Sequence, residues 1–141
     1  MDLISLCTQI PNHVRDGMNR MVSETASCQG GLTLNICMSY GSRGEIVEVS
    51  RALAQKVATG SLQPSAISEK LFDEQLLTSH CGEPDVLIRT SGEIRISNFL
   101  LWQLAYAEMF FLDKPWPAVE KDDLLDVIRA FAKGRQRRFG K

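Results

Sequence analysis

Two short, nearly continuous apolar runs constrain this chain most. Leu32 to Met38, interrupted by Thr33 and Asn35, and Asp85-Val86-Leu87-Ile88-Arg89 read as strands covered on both faces, the signature of a parallel sheet. Each opens directly onto a loop, Tyr40-Gly41-Ser42-Arg43-Gly44 after the first and Thr90-Ser91-Gly92-Glu93 after the second. Helical spacing fills the intervals. Val14, Met18, Met21 and Val22 predict an amphipathic helix from Pro11 to about Gly30-Gly31, and Ile46, Val49, Leu53 and Val57 predict another that closes at Gly60. Ser68 is placed to cap a short helix holding Leu71, Leu76 and Leu77, which stops before Gly82-Glu83-Pro84. Ser97 or Asn98 would cap an apolar helix from about Phe99 to Ala107, followed by a third strand from Met109 to Leu112. The last helix carries Leu124, Val127, Ile128 and Phe131 on one face, with Asp122 and Asp123 early and Arg135, Arg137 and Arg138 late, as the helix dipole favours. The expectation is an α/β fold, a mostly parallel sheet with flanking helices.

Composition serves to exclude. Sixteen Lys plus Arg against seventeen Asp plus Glu gives 16 − 17 = −1, which argues against disorder and against a globally basic nucleic-acid binder. The longest apolar stretch, Asn98 to Leu112, is interrupted by Gln103 and Glu108 and falls short of the ~20 residues that span a bilayer. Met1 does not open onto a secretory signal, so the expected location is cytoplasmic. Cys7, Cys28, Cys37 and Cys81 are scattered, without a C-x-x-C pair or a Cys/His cluster. They read as reduced, buried thiols of an intracellular protein and not as a zinc site.

In open α/β sheets, ligands bind beyond the carboxyl ends of the strands. Arg89, Arg95 and Ser97, two forked cations and a hydroxyl, form the sharpest constellation there, because together they can surround a diphosphate. Charge-assisted hydrogen bonds contribute roughly 1.5–3 kcal/mol each, so three approach about −8 kcal/mol, a micromolar affinity, before ordering costs. The spacing equally allows Arg89 to pair with Glu93 or Asp85 while Arg95 is merely solvated. Arg43, opening a helix near Glu45, makes a weaker case. Glu108 stands in an apolar stretch where an unpaired carboxylate is costly. An arginine of the RTSGE segment or a hydrated Mg²⁺ would serve it, unless it ends a helix and reaches solvent. The basic tail Arg135 to Lys141 is a charge run that phosphates could attract.

These residues resemble the cis-prenyltransferase family, the undecaprenyl and dehydrodolichyl diphosphate synthases, from about Pro11 to Gly140. The resemblance rests on Leu32-Thr33-Leu34-Asn35-Ile36, Tyr40-Gly41-Ser42-Arg43, DVLIRTSGE from Asp85 to Glu93, Arg95 to Gln103, Tyr106-Ala107-Glu108, Trp116-Pro117 and Arg138-Phe139-Gly140. It implies repeated condensation of isopentenyl diphosphate onto an allylic diphosphate, farnesyl diphosphate being expected, to make a long-chain polyprenyl diphosphate with cis double bonds. By the same resemblance Arg89, Arg95 and Ser97 hold the diphosphate of isopentenyl diphosphate, and Glu108 handles Mg²⁺. Arg138 and Gly140 match an R-x-G tail that reaches the substrate site across a homodimer or heterodimer interface. No nucleic acid is expected, and membrane contact only peripherally, through the product.

The match is to the C-terminal half of such an enzyme, so residues 1–141 are expected to be the C-terminal portion of one domain, lacking the family's N-terminal strands. The family's H-x-x-x-D-G-N-x-R-W segment, whose Asp anchors Mg²⁺ and the allylic diphosphate, does not occur among these residues. The catalytic residue therefore stays unassigned. His13 to Arg20 echoes that segment but precedes the Leu32 strand, so Asp16 is expected to be a helix residue without a catalytic part. The alternative role is a non-catalytic partner subunit of a heteromeric enzyme. Ile94 stands where some members carry His.

Overall fold

The structure, a computed structural model, describes residues 2–4, 11–28 and 30–134. The chain divides into two compact units, Met1–Gly82 and Glu83–Lys141. It is α/β, and both of its strand pairs are parallel.

In the first unit β1 (Asp2–Ile4) pairs with β2 (Asn35–Cys37), Leu3 opposite Ile36. Strand β1 was not legible in the sequence, and β2 is shorter than the apolar run around it: Leu32 and Leu34 are exposed. Helix α1 (Asn12–Thr25) ends before the predicted glycines. Near its end Ser23 and Thr25 turn their hydroxyls back onto the carbonyls of Asn19 and Met21, at 2.9 and 2.8 Å, a local competition that weakens helix propagation. Asp16 lies exposed on this helix.

Helix α2 (Ser42–Ala58) follows β2 after a turn, with Gly41 extended at its N-cap and Gly60 beyond its end. Its inward face, Val49 and Leu53, forms the core of this unit with Met18 and Leu76. Helix α3 (Glu69–Asp73) starts as expected, the Ser68 hydroxyl accepting from the Leu71 amide at 3.2 Å. It stops before Leu76 and Leu77. Leu76 N–H bonds only three residues back, to Asp73, and Leu77 donates its amide to Glu45 Oε1 at 2.8 Å. A side chain from α2 thus takes the donor that a further helical turn would need.

In the second unit β3 (Val86–Arg89) pairs with β4 (Glu108–Phe111), Val86 opposite Glu108 and Arg89 opposite Phe111. All four β3 residues are half-buried. Between the strands the predicted helix from Phe99 to Ala107 does not form. Ser97, Asn98 and Leu100 adopt left-handed backbone at φ 46°, 63° and 47°, which interrupts right-handed helical bonding, and residues 98–106 run as successive turns. Neither Ser97 nor Asn98 caps a helix. The apolar content of the stretch was real, since Leu104 is buried, but it reflects packing and not helical period.

Helix α4 (Lys121–Gly134) buries Val127. It opens with Asp123 Oδ2 accepting from the Glu120 amide at 2.9 Å, the reach-back half of a capping box. Arg135, Arg137 and Arg138 lie outside the described residues, as does Cys7. Among the described residues no helix is long and apolar enough to cross a membrane.

Candidate functional site

Arg89 is the last residue of β3, at the carboxyl end where the sequence placed an anion site. It is half-buried, and its side chain makes no hydrogen bond or ion pair with another described residue. The expected alternative, an Arg89 pair with Glu93 or Asp85, is therefore not what forms. Arg95 takes Glu93 instead, in an exposed ion pair. Such pairs contribute about 0.2–1 kcal/mol and are readily exchanged for a stronger anion.

The loop between them has an unusual backbone. Ser91 and Gly92 both stand at φ 67°, a pair of left-handed residues that turns the chain tightly as soon as it leaves the strand. Gly92 suits this position because it pays no Cβ penalty there. The loop is tied down from the β4 side: Leu112 N–H donates to Arg89 O at 2.8 Å, Gly92 N–H to Leu112 O at 3.0 Å and Ser91 N–H to Lys114 O at 2.8 Å. Arg89 thus leaves a loop whose backbone is fixed on both sides of it, while Arg95 and Ser97 follow on an exposed surface.

Glu108 is not brought to this place. It opens β4 opposite Val86, three residues before the register partner of Arg89, which separates the two backbones by about 10 Å along the strands. Side chains alternate between faces along a strand and register partners share one. Glu108 therefore lies on the face of Val86 and Ile88, and Arg89 on that of Leu87. An arginine of the RTSGE segment does not neutralise this carboxylate. It packs against the end of α4, so closely that a Cβ on Gly134 would stand 3.1 Å from Glu108 Oε2. Among the described residues no three His, Cys, Asp or Glu side chains converge to hold a metal ion. Magnesium, which takes one or two carboxylates with water and phosphate oxygens, would find in Glu108 a single ligand remote from Arg89. The described residues do not by themselves fit a magnesium site.

In the first unit Arg43 is an exposed residue at the start of α2. Two residues on, Glu45 is 1% exposed and accepts from Tyr40 Oη at 2.5 Å and from the Leu77 amide at 2.8 Å. Cys37 and Cys81 are half-buried free thiols, and burial, then the neighbouring Cys81 and Glu45, push the Cys37 thiol up. Cys28 is free and exposed, against the expectation of burial. Arg138 and Gly140 lie outside the described residues.

What sequence reasoning missed is the support of the loop. Lys114 Nζ donates to both carboxylate oxygens of Asp123, at 2.8 and 2.9 Å, across a segment broken by Pro115 and Pro117. No periodicity links residues nine apart through such a break, so their charge signs were the only signal.

Strand β3 thus ends in Arg89, half-buried and without a side-chain partner among the described residues, and in a Ser91-Gly92 turn whose amides are bonded from the β4 side. The family model for prenyltransferases of the undecaprenyl diphosphate synthase type matches residues 1–140, and the chain belongs to this family, the cis-prenyltransferases. It is 46% identical over 131 residues to the isoprenyl transferase of Geobacillus kaustophilus, a match covering 93% of this chain and 50% of that protein. The isoprenyl transferase of Bacillus subtilis is 44% identical over 133 residues, covering 94% and 50%. Lavandulyl diphosphate synthase from Lavandula x intermedia, solved in complex with dimethylallyl diphosphate, superposes with a TM-score of 0.85 at 34% identity, over 92% of this chain and 56% of that one. For a probable undecaprenyl diphosphate synthase from Campylobacter jejuni the TM-score is 0.78 at 29% identity, over 99% and 62%. The chain spans about half the length of the curated relatives it matches.

Proposed function

We propose that this chain supplies the isopentenyl diphosphate site of a cis-prenyltransferase and is the C-terminal portion of that enzyme's single domain. The reaction is the condensation of isopentenyl diphosphate onto an allylic diphosphate, farnesyl diphosphate in this reading, with release of diphosphate. Repetition yields a long-chain polyprenyl diphosphate. The observation that carries the reading is Arg89, half-buried at the carboxyl end of β3 with no described partner. A guanidinium in that position is available for bidentate bonding to a phosphate. Arg95 joins it once the exposed pair with Glu93 opens, and Ser97 adds a hydroxyl.

Arg138 and Gly140 are assigned to the same diphosphate, delivered across an interface with a second chain, like or unlike. The work is cytoplasmic, touching membrane only through its apolar product.

The test supplies the purified chain with labelled isopentenyl diphosphate, farnesyl diphosphate and Mg²⁺. Label is expected to bind and to be lost in Arg89→Ala. Binding or turnover that survives Arg89→Ala would overturn the reading. In a mixed complex, an Arg89→Ala chain that spares activity while Arg138→Ala abolishes it would assign this chain the non-catalytic partner role instead.

A further inference from the structure

We propose that Lys114 and Asp123 are positioning residues for the diphosphate loop: their ion pair holds the Lys114 carbonyl where it fixes the amide of Ser91, and so aims Arg89 two residues earlier. The proposal rests on the reading of Arg89 given above, and neither residue is assigned a contact with the anion. Ser91 is a non-glycine residue at φ 67°, a conformation that persists only when its surroundings over-determine it. What over-determines it is visible. Its N–H donates to Lys114 O at 2.8 Å, and the next amide, of Gly92, donates to Leu112 O at 3.0 Å.

The segment that provides these carbonyls has left β4 and contains Pro115 and Pro117, which have no N–H with which to anchor it. Leu112 is held by its own N–H bond to Arg89 O at 2.8 Å, and beyond it the Lys114 side chain ties the segment to α4. Nζ donates to both oxygens of Asp123, and Asp123 Oδ2 also accepts from the Glu120 amide at 2.9 Å, at the start of α4. Lys114 thereby joins the anion loop to a 14-residue helix. The charges reinforce each other: the bond to Asp123 raises Lys114 above the usual lysine value, and the bond to Lys114 holds Asp123 below the usual carboxylate range. The remaining role such a pair could have is to cap α4 alone, and the two roles separate experimentally because the Asp123 to Glu120 bond does not require the lysine.

The test measures inorganic pyrophosphate binding by calorimetry and amide exchange at Ser91 and Gly92 by NMR, on the whole chain and its variants. Lys114→Met keeps the alkyl stem and the Asp123 cap. It is expected to speed exchange at Ser91 and to weaken pyrophosphate by about two- to fivefold, the range an exposed ion pair supplies. Asp123→Asn keeps an acceptor for Glu120 and should do the same, with no further loss in the double variant because the pair acts as one unit. Lys114→Arg should restore both readouts. Unchanged exchange and affinity in Lys114→Met would overturn the proposal. Weakened binding with Ser91 exchange unchanged would make Lys114 a direct anion contact and overturn it as well. Arg89→Ala is the separate control: if it leaves affinity intact, the diphosphate reading fails, while Ser91 exchange still decides the role of Lys114.

Discussion

The two loops that follow β2 and β3 look alike in sequence and differ in how their polar groups are satisfied. After β2, the chain passes through a short turn with Ser39 at φ 50° into α2, Ser42 is fully buried, and Glu45 is buried with Tyr40 and the Leu77 amide as partners. Its polar groups hold the first unit together. After β3, the chain enters a left-handed Ser91-Gly92 turn and then a series of turns in place of a helix. The cation there, Arg89, has no described partner. A buried polar group is held by partners inside the fold, as Glu45 is; the proposed diphosphate role of Arg89 rests on the lack of such a partner among the described residues.

The largest effect expected from this contrast is on stability. Glu45→Ala leaves the Leu77 N–H and the Tyr40 hydroxyl without their acceptor, and should cost about 3 kcal/mol, since each stranded donor costs about 1–3 kcal/mol. Urea denaturation measures it, and a loss under about 1 kcal/mol would show that Glu45 is dispensable to the first unit. Gly92→Ala comes next. A side chain held at φ 67° should cost about 1–2 kcal/mol, and pyrophosphate affinity should fall with it; a variant as stable and as tight as the parent would mean the turn is not fixed.

A smaller effect sharpens the picture of the second loop. Glu93→Gln releases Arg95 from its exposed ion pair and should raise pyrophosphate affinity about twofold, within the worth of such pairs. Unchanged or weaker binding would count Arg95 out of the site.

The smallest effect is a pH dependence. Asp123 lies below its ordinary value in the folded chain, so its contribution is full above that ordinary value and fades as pH falls through the lower folded one. Lys114 is raised, so its contribution is full below the ordinary lysine value and fades as pH rises through the folded one. Both groups are solvent-screened, so the two arms should be shallow and flatten with salt. Asp123→Asn should remove them, and arms that persist in that variant would belong to other groups.

Apolar residues at helical spacing made α1, α2 and α4 legible, although α1 buries only Met18 and α4 only Val127 while Met21, Leu124 and Ile128 stay exposed, and apolar runs made β2, β3 and β4 legible but not β1. Periodicity failed from Phe99 to Ala107 because an apolar run without period says only that residues are buried. There the backbone at Ser97, Asn98 and Leu100 decided the structure. It failed at Leu76 and Leu77 because the deciding group, Glu45, lies some thirty residues earlier in the sequence. Arg89 was legible because a strand end is a local feature. The separation of Glu108 from Arg89 was not, since it depends on the register of β3 against β4, a non-local pairing. The Lys114 to Asp123 bond was hidden for the same reason.

The central claim is that Arg89 is held open for a diphosphate. It is tested most directly by calorimetric titration of isopentenyl diphosphate into the chain and into Arg89→Ala, with urea denaturation of both as the check on folding. A loss of at least about tenfold in affinity, the worth of one charge-assisted contact, with stability essentially unchanged, is the predicted result. Equal affinities in two equally stable proteins would contradict it.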